Sequence, residues 1–108
     1  MRMDALRGPD IGTLLIRAIR ASAQAAACPV HVVAIKGRPW ASATFTGMRH
    51  RLTIATESVP HVRVWIDALP EAELRMRGHI VADLAVEDIA AVGDALHVTL
   101  TALTLIEA

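Results

Sequence analysis

A chain of 108 residues is the size of one domain, and it can bury a core without disulfides or structural metals. Hydrophobic residues make up 54% of it and charged residues 20%. That excludes an intrinsically disordered chain and leaves more apolar surface than a small interior holds, a surplus that points to a subunit interface. The formal net charge is zero, which argues against a domain built chiefly to grip nucleic acid.

The zero is a cancellation. Residues 1–66 carry nine Lys or Arg against three Asp or Glu, whereas residues 67–108 carry two against eight. A chain sorted this way can present a basic and an acidic surface on one fold, which favours self-association, a dimer above all, or a charged partner protein at one end.

Arg2 and Arg7 precede an apolar stretch ending Ala25-Ala26-Ala27-Cys28, a superficial likeness to a secretory signal. Asp4, Asp10, Arg17 and Arg20 interrupt it, whereas a working signal core is an unbroken apolar run. No run reaches the length needed to span a bilayer. The lone Cys28 cannot close an intramolecular disulfide, so its expected role is that of a small buried hydrophobe. The expectation is a cytoplasmic, soluble protein that makes no membrane contact.

In chain order, Gly8-Pro9-Asp10 predicts a helix start, with Pro suited to the first position and Asp to the positive end of the helix dipole. The helix is expected over residues 9–27, stopped by Pro29. Its polar positions Thr13, Arg17, Arg20 and Gln24 make one narrow stripe, so it is expected to be covered on more than one side. Strands are predicted over 30–36, 40–46, 50–56 and 61–66 from alternation and β-branched content, with Gly37-Arg38-Pro39 as a turn. Residues 70–78 satisfy two patterns. Pro70, the Glu71/Arg75 and Glu73/Arg77 pairs and Gly78 spell a helix, while Leu74, Met76, Ile80, Ala82 and Leu84 alternate as a strand. The strand is preferred because the alternation continues past Gly78. Glu87 to Val92 reads as one helical turn ended by Gly93, and Leu96 to Ile106 as the clearest strand. One helix followed by consecutive strands predicts a single α+β domain over residues 1–108, with a long N-terminal helix packed on a mostly antiparallel sheet of five or six strands.

Three constellations are candidates for chemistry. His31, His50, His61, His79 and His97 fall one per predicted strand without metal-ligand spacing, so no metal is expected. His79 and Asp83, on one face of a strand, would let a carboxylate orient an imidazole. Trp40 and Trp65, with His61, His79 and Asp83, could line a groove for a small ligand; the commoner role of such tryptophans is to cover a sheet rim or an interface. Arg49, His50 and Arg51, with Lys36, Arg38 and Arg63, could contact phosphate, although three aromatics in all and no Tyr argue against base stacking. No phosphate loop, nucleophile elbow or dinucleotide fingerprint is present, so no cofactor is expected. Whether the chain is an enzyme stays open. The primary expectation is a non-catalytic homo-oligomeric or assembly module, the alternatives being the small-ligand groove and the phosphate contact.

Overall fold

The structure, a computed structural model, describes residues 10–107. Arg2, Asp4, Arg7, Gly8 and Pro9 lie outside the described residues. The elements run α1 (Ile11–Ala25), β1 (Val30–Ala41), β2 (Thr46–Glu57), α2 (Pro60–Ala68), β3 (His79–Val92) and β4 (Ala95–Ile106), with a 3-10 turn at Leu69–Glu71.

The α+β class holds, but the architecture differs from the expected long helix on five or six strands. The sheet has four strands, all antiparallel, in the order β1-β2-β4-β3. Both helices are short, at 15 and 9 residues.

Asp10 caps α1, its carboxylate accepting the Thr13 backbone N–H at 2.8 Å. At the other end the helix stops two residues short of the expected Ala27. Ala27 turns left-handed at φ 56°. Its N–H then reaches the Gln24 carbonyl at 3.0 Å, and that of Cys28 reaches the Ala23 carbonyl at 2.8 Å. This paired closure satisfies carbonyls that the helix end would leave bare. Cys28 and Ala23 are both buried in the same apolar cluster, at the positions where such a closure favours apolar residues. The buried stripe of α1 is Leu15, Ala18, Ile19 and Ala23, one face rather than two.

Residues 61–66 form a helix, not the expected strand. Pro60 occupies the first turn, where its missing N–H costs nothing. Val62, Trp65, Ile66 and Leu69 are buried at helical spacing, while Val64, which alternation would have buried with them, is 68% exposed. The Trp65 indole N–H donates to Ser22 Oγ at 3.0 Å and ties α2 to α1.

The expected strand 30–36 continues through Gly37 and Pro39 to Ala41 as one β1, and of the expected strand 40–46 only residues 40 and 41 belong to it. Pro is tolerated because β1 is an edge strand, where a missing N–H breaks no ladder. The true turn is at Ser42, whose N–H donates to the Phe45 carbonyl at 2.8 Å and whose Oγ accepts the Phe45 N–H at 3.1 Å. Residues 70–78 form no strand beyond the Met76–His79 bridge. Residues 87–92 continue β3 instead of forming a helical turn.

Both helices cover one face of the sheet. Leu15, Ile19, Val62, Ile66 and Leu69 pack there against Leu52 and Ile54 of β2 and Leu96, Val98 and Leu100 of β4. No described helix is long and apolar enough to cross a membrane.

Candidate functional site

Strand alternation sends odd-numbered β2 residues away from the helices. That second face carries no described element, and it holds the sorted charges. The pairings define its rows across the four strands in the order β1, β2, β4, β3. The first is Trp40, Gly47, Leu105 and Ile80; the second is Arg38, Arg49, Leu103 and Asp83; the third is Lys36, Arg51, Thr101 and Ala85. Further along come Ala34, Thr53, Thr99 and Asp88, then His31, Ala55, His97 and Ala90. Glu87, set forward by a bulge between Val86 and Asp88, joins the third row, where its Oε1 accepts the Thr101 hydroxyl at 2.8 Å.

Lys36, Arg38, Arg49 and Arg51 therefore make a basic half on β1 and β2, and Asp83, Glu87 and Asp88 an acidic edge on β3. Leu103, Thr101, Thr99 and His97 of β4 lie between. All seven charged residues are exposed. The four cations border an open groove of about 500 Å³, with Thr101 and Glu87 at its far wall.

His50 borders the same groove, but its side chain does not project with those of Arg49 and Arg51 on this face. Alternation turns it to the covered side, where it is 3% exposed. Its Nε2 lies 2.9 Å from Thr104 Oγ1, and Thr104 donates in turn to the Met48 carbonyl at 3.4 Å. With that hydroxyl used as a donor, Nε2 carries the proton and the ring is the donor to Thr104. Gly37 lies opposite, and a Cβ there would come within 3.0 Å of Met48 Cε and 3.5 Å of His50 Nδ1. Burial lowers the His50 pKa from its ordinary value; Asp10 opposes that shift and His79 adds to it. A hydroxyl beside a neutral imidazole has the elements of a nucleophile and base, but Thr104 is 0% exposed and no substrate reaches it. The pair is a polar tie within the core.

The other singled-out residues are dispersed. Trp40 sits at one end of β1 on the open face, and Trp65 is buried in α2 on the opposite face. His61, also on α2, approaches the Ala27 carbonyl at 3.1 Å. His79 and Asp83 do not share a face. His79 pairs with Ile106 and Asp83 with Leu103, because a bulge between Val81 and Asp83 reverses the alternation. The His79 ring contacts the Arg77 carbonyl at 3.1 Å. Cys28 is buried, and desolvation raises its pKa, the opposite of what a reactive thiolate needs. Among the described residues no three His, Cys, Asp or Glu side chains are grouped to hold a metal ion.

The sequence reading missed Glu87 and Thr101 as residues that line the groove with the cations. The bulge that places Glu87 has no local signature, but the run of acids on either side of Leu84 was visible. No protein-family model, curated protein or solved structure matches the chain.

Proposed function

We propose that this protein is a non-catalytic assembly module that self-associates through the open face of its sheet. The observation that carries the reading is the sorting of exposed charge across that face, cations on β1 and β2 and acids on β3. A four-stranded sheet with, among the described residues, one face that carries no helix and an unpaired strand at either edge is a surface that natural proteins cover or blunt. Phe45, Ile80 and Ile106, all at least 44% exposed, add an apolar border at the hairpin end of the same sheet.

Sedimentation equilibrium across a salt series tests the proposal. The expected result is a dimer at low ionic strength that weakens as salt screens its charges. A monomer throughout, at sub-millimolar concentration and low salt, overturns it.

A second reading is contact with a polyanion, favoured by the convergence of Lys36, Arg38, Arg49 and Arg51 on one groove. Glu87→Gln separates the two. It removes a repulsive charge from an anion site, so oligonucleotide binding tightens, whereas a self-associating face loses one of its attractive partners.

A further inference from the structure

Resting on the self-association reading, we infer that the two copies stack face to face about a two-fold axis parallel to the strands, lying over the gap between β2 and β4, so that β1 of each copy covers β3 of the other. Two in-plane axes can bring identical sheets together. An axis perpendicular to the strands sets β1 on β1 and places Lys36 and Arg38 against the same two cations. An axis parallel to the strands exchanges the edges and leaves each residue at its own height. Arg38 then faces the partner's Asp83, and Lys36 faces the partner's Ala85 and the adjoining Glu87 of the partner subunit. The pairings within one sheet supply this match, because Arg38 and Asp83 end one row while Lys36 and the Thr101–Glu87 contact share the next.

The same axis places Trp40 over the partner's Ile80, since both lie in the row through Gly47 and Leu105. Within one copy these two are separated by three strand spacings, roughly 14 Å. Apolar contact therefore closes one end of the stack and ion pairs close its flanks.

The size is adequate. Strands of 12 residues at about 3.3 Å per residue, four abreast at about 4.8 Å, give a face of about 750 Å² per copy. The total of about 1,500 Å² falls in the range of specific interfaces. A second copy also fits this face better than a polyanion, because a uniformly negative partner spread over it would meet Asp83, Glu87 and Asp88.

Isotope-filtered NOE spectroscopy on a mixture of labelled and unlabelled protein tests the geometry directly. The expected contact joins the Trp40 indole of one copy to the methyl groups of the partner's Ile80. Intermolecular contacts from Trp40 to Trp40, or from α1 or α2 in place of the open face, overturn the axis while leaving self-association intact. A wild-type monomer overturns both. Paired charge reversals provide a check that does not depend on the spectra. Lys36→Glu/Arg38→Glu leaves both edge strands acidic on this face and Asp83→Arg/Glu87→Arg leaves both net basic, so each alone loses at least tenfold in dimer affinity. An equimolar mixture recovers a heterodimer. Because all four positions are exposed, circular dichroism of each variant matches wild type. Wild-type-like dimerisation by either variant overturns the assignment of this face.

Discussion

Acidification tests the role given to His50. The ring is 3% exposed and donates to a hydroxyl that is itself fully buried, so folding favours the neutral form and lowers the pKa below its unfolded value. The unfolded chain therefore binds the proton more readily. Stability attributable to this group is complete above the unfolded pKa, falls as the pH drops below it, and levels off under the folded pKa. For a reference value near 6.5, a shift large enough to keep the folded ring neutral throughout gives a ceiling of about 2 kcal/mol between about pH 7.5 and about pH 5. Asp10 opposes the shift, which keeps the loss under that ceiling, and His79 adds to the shift. The assay is urea denaturation at both pH values for wild type and His50→Gln, whose amide N–H₂ can still donate to Thr104. The quantity of interest is the difference of differences, since every other group is common to both proteins. The expected result is a larger acid loss in wild type, by up to about 2 kcal/mol. An equal loss in both would refute a neutral, buried His50.

Three further outcomes follow from the local geometry. Gly47→Ala places a Cβ 1.9 Å from the Thr104 carbonyl oxygen and 3.0 Å from Leu105 Cδ2, so β2 and β4 must part; the expected cost is about 3 kcal/mol from overpacking and a lost ladder bond, read as a lower urea midpoint, and an unchanged midpoint would count against the pairing there. Ala27→Gly relieves the left-handed φ of 56° and is expected to stabilise by about 0.5–1 kcal/mol, seen as a melting temperature a few degrees higher; a decrease contradicts the helix closure. Asp10→Ala removes the α1 cap, at about 1 kcal/mol, and also removes the charge that supports protonation of His50, so the His50 imidazole resonances in NMR titrate at lower pH than in wild type.

The elements legible in the sequence were those whose pattern is purely local. In β4, Leu96, Val98 and Leu100 alternate with polar residues and are all buried. The segment 50–56 alternates as cleanly and forms the greater part of β2. The helix α2 was misread because Val62, Val64 and Ile66 alternate as a strand does. The deciding signal was Pro60 followed by Val62, Trp65, Ile66 and Leu69, at helical spacing. The continuity of β1 through Gly37 and Pro39 was hidden because turn residues on an edge strand look the same as turn residues in a turn. In β3 two bulges break the alternation; unbroken alternation puts His79 and Asp83 on one face, and the leading acids with Gly93 behind them make residues 87–92 read as a helical turn. No local sequence rule places a bulge, since it is settled by which residues the neighbouring strand can accept.

The charge sorting has a topological explanation that the sequence contained without stating. The order β1-β2-β4-β3 keeps each hairpin as a contiguous half of the sheet. The first hairpin comes from the basic part of the chain and the second from the acidic part, and the change of sign falls at α2, the element that connects them. A polarity along the sequence thus becomes a polarity across the sheet, at right angles to the strands. Had the hairpins interleaved, with a strand of one between the strands of the other, the same residues would have mixed their signs and the face would attract neither a cationic nor an anionic edge. As built, the basic and acidic edges are complementary to each other, and only a rotation that exchanges the two edges lets one copy satisfy another. The chain order of the charges, the strand order and the direction of the proposed axis are linked in this way, so failure of the Trp40-to-Ile80 contact in a verified dimer would break the link at its last step and leave the first two standing.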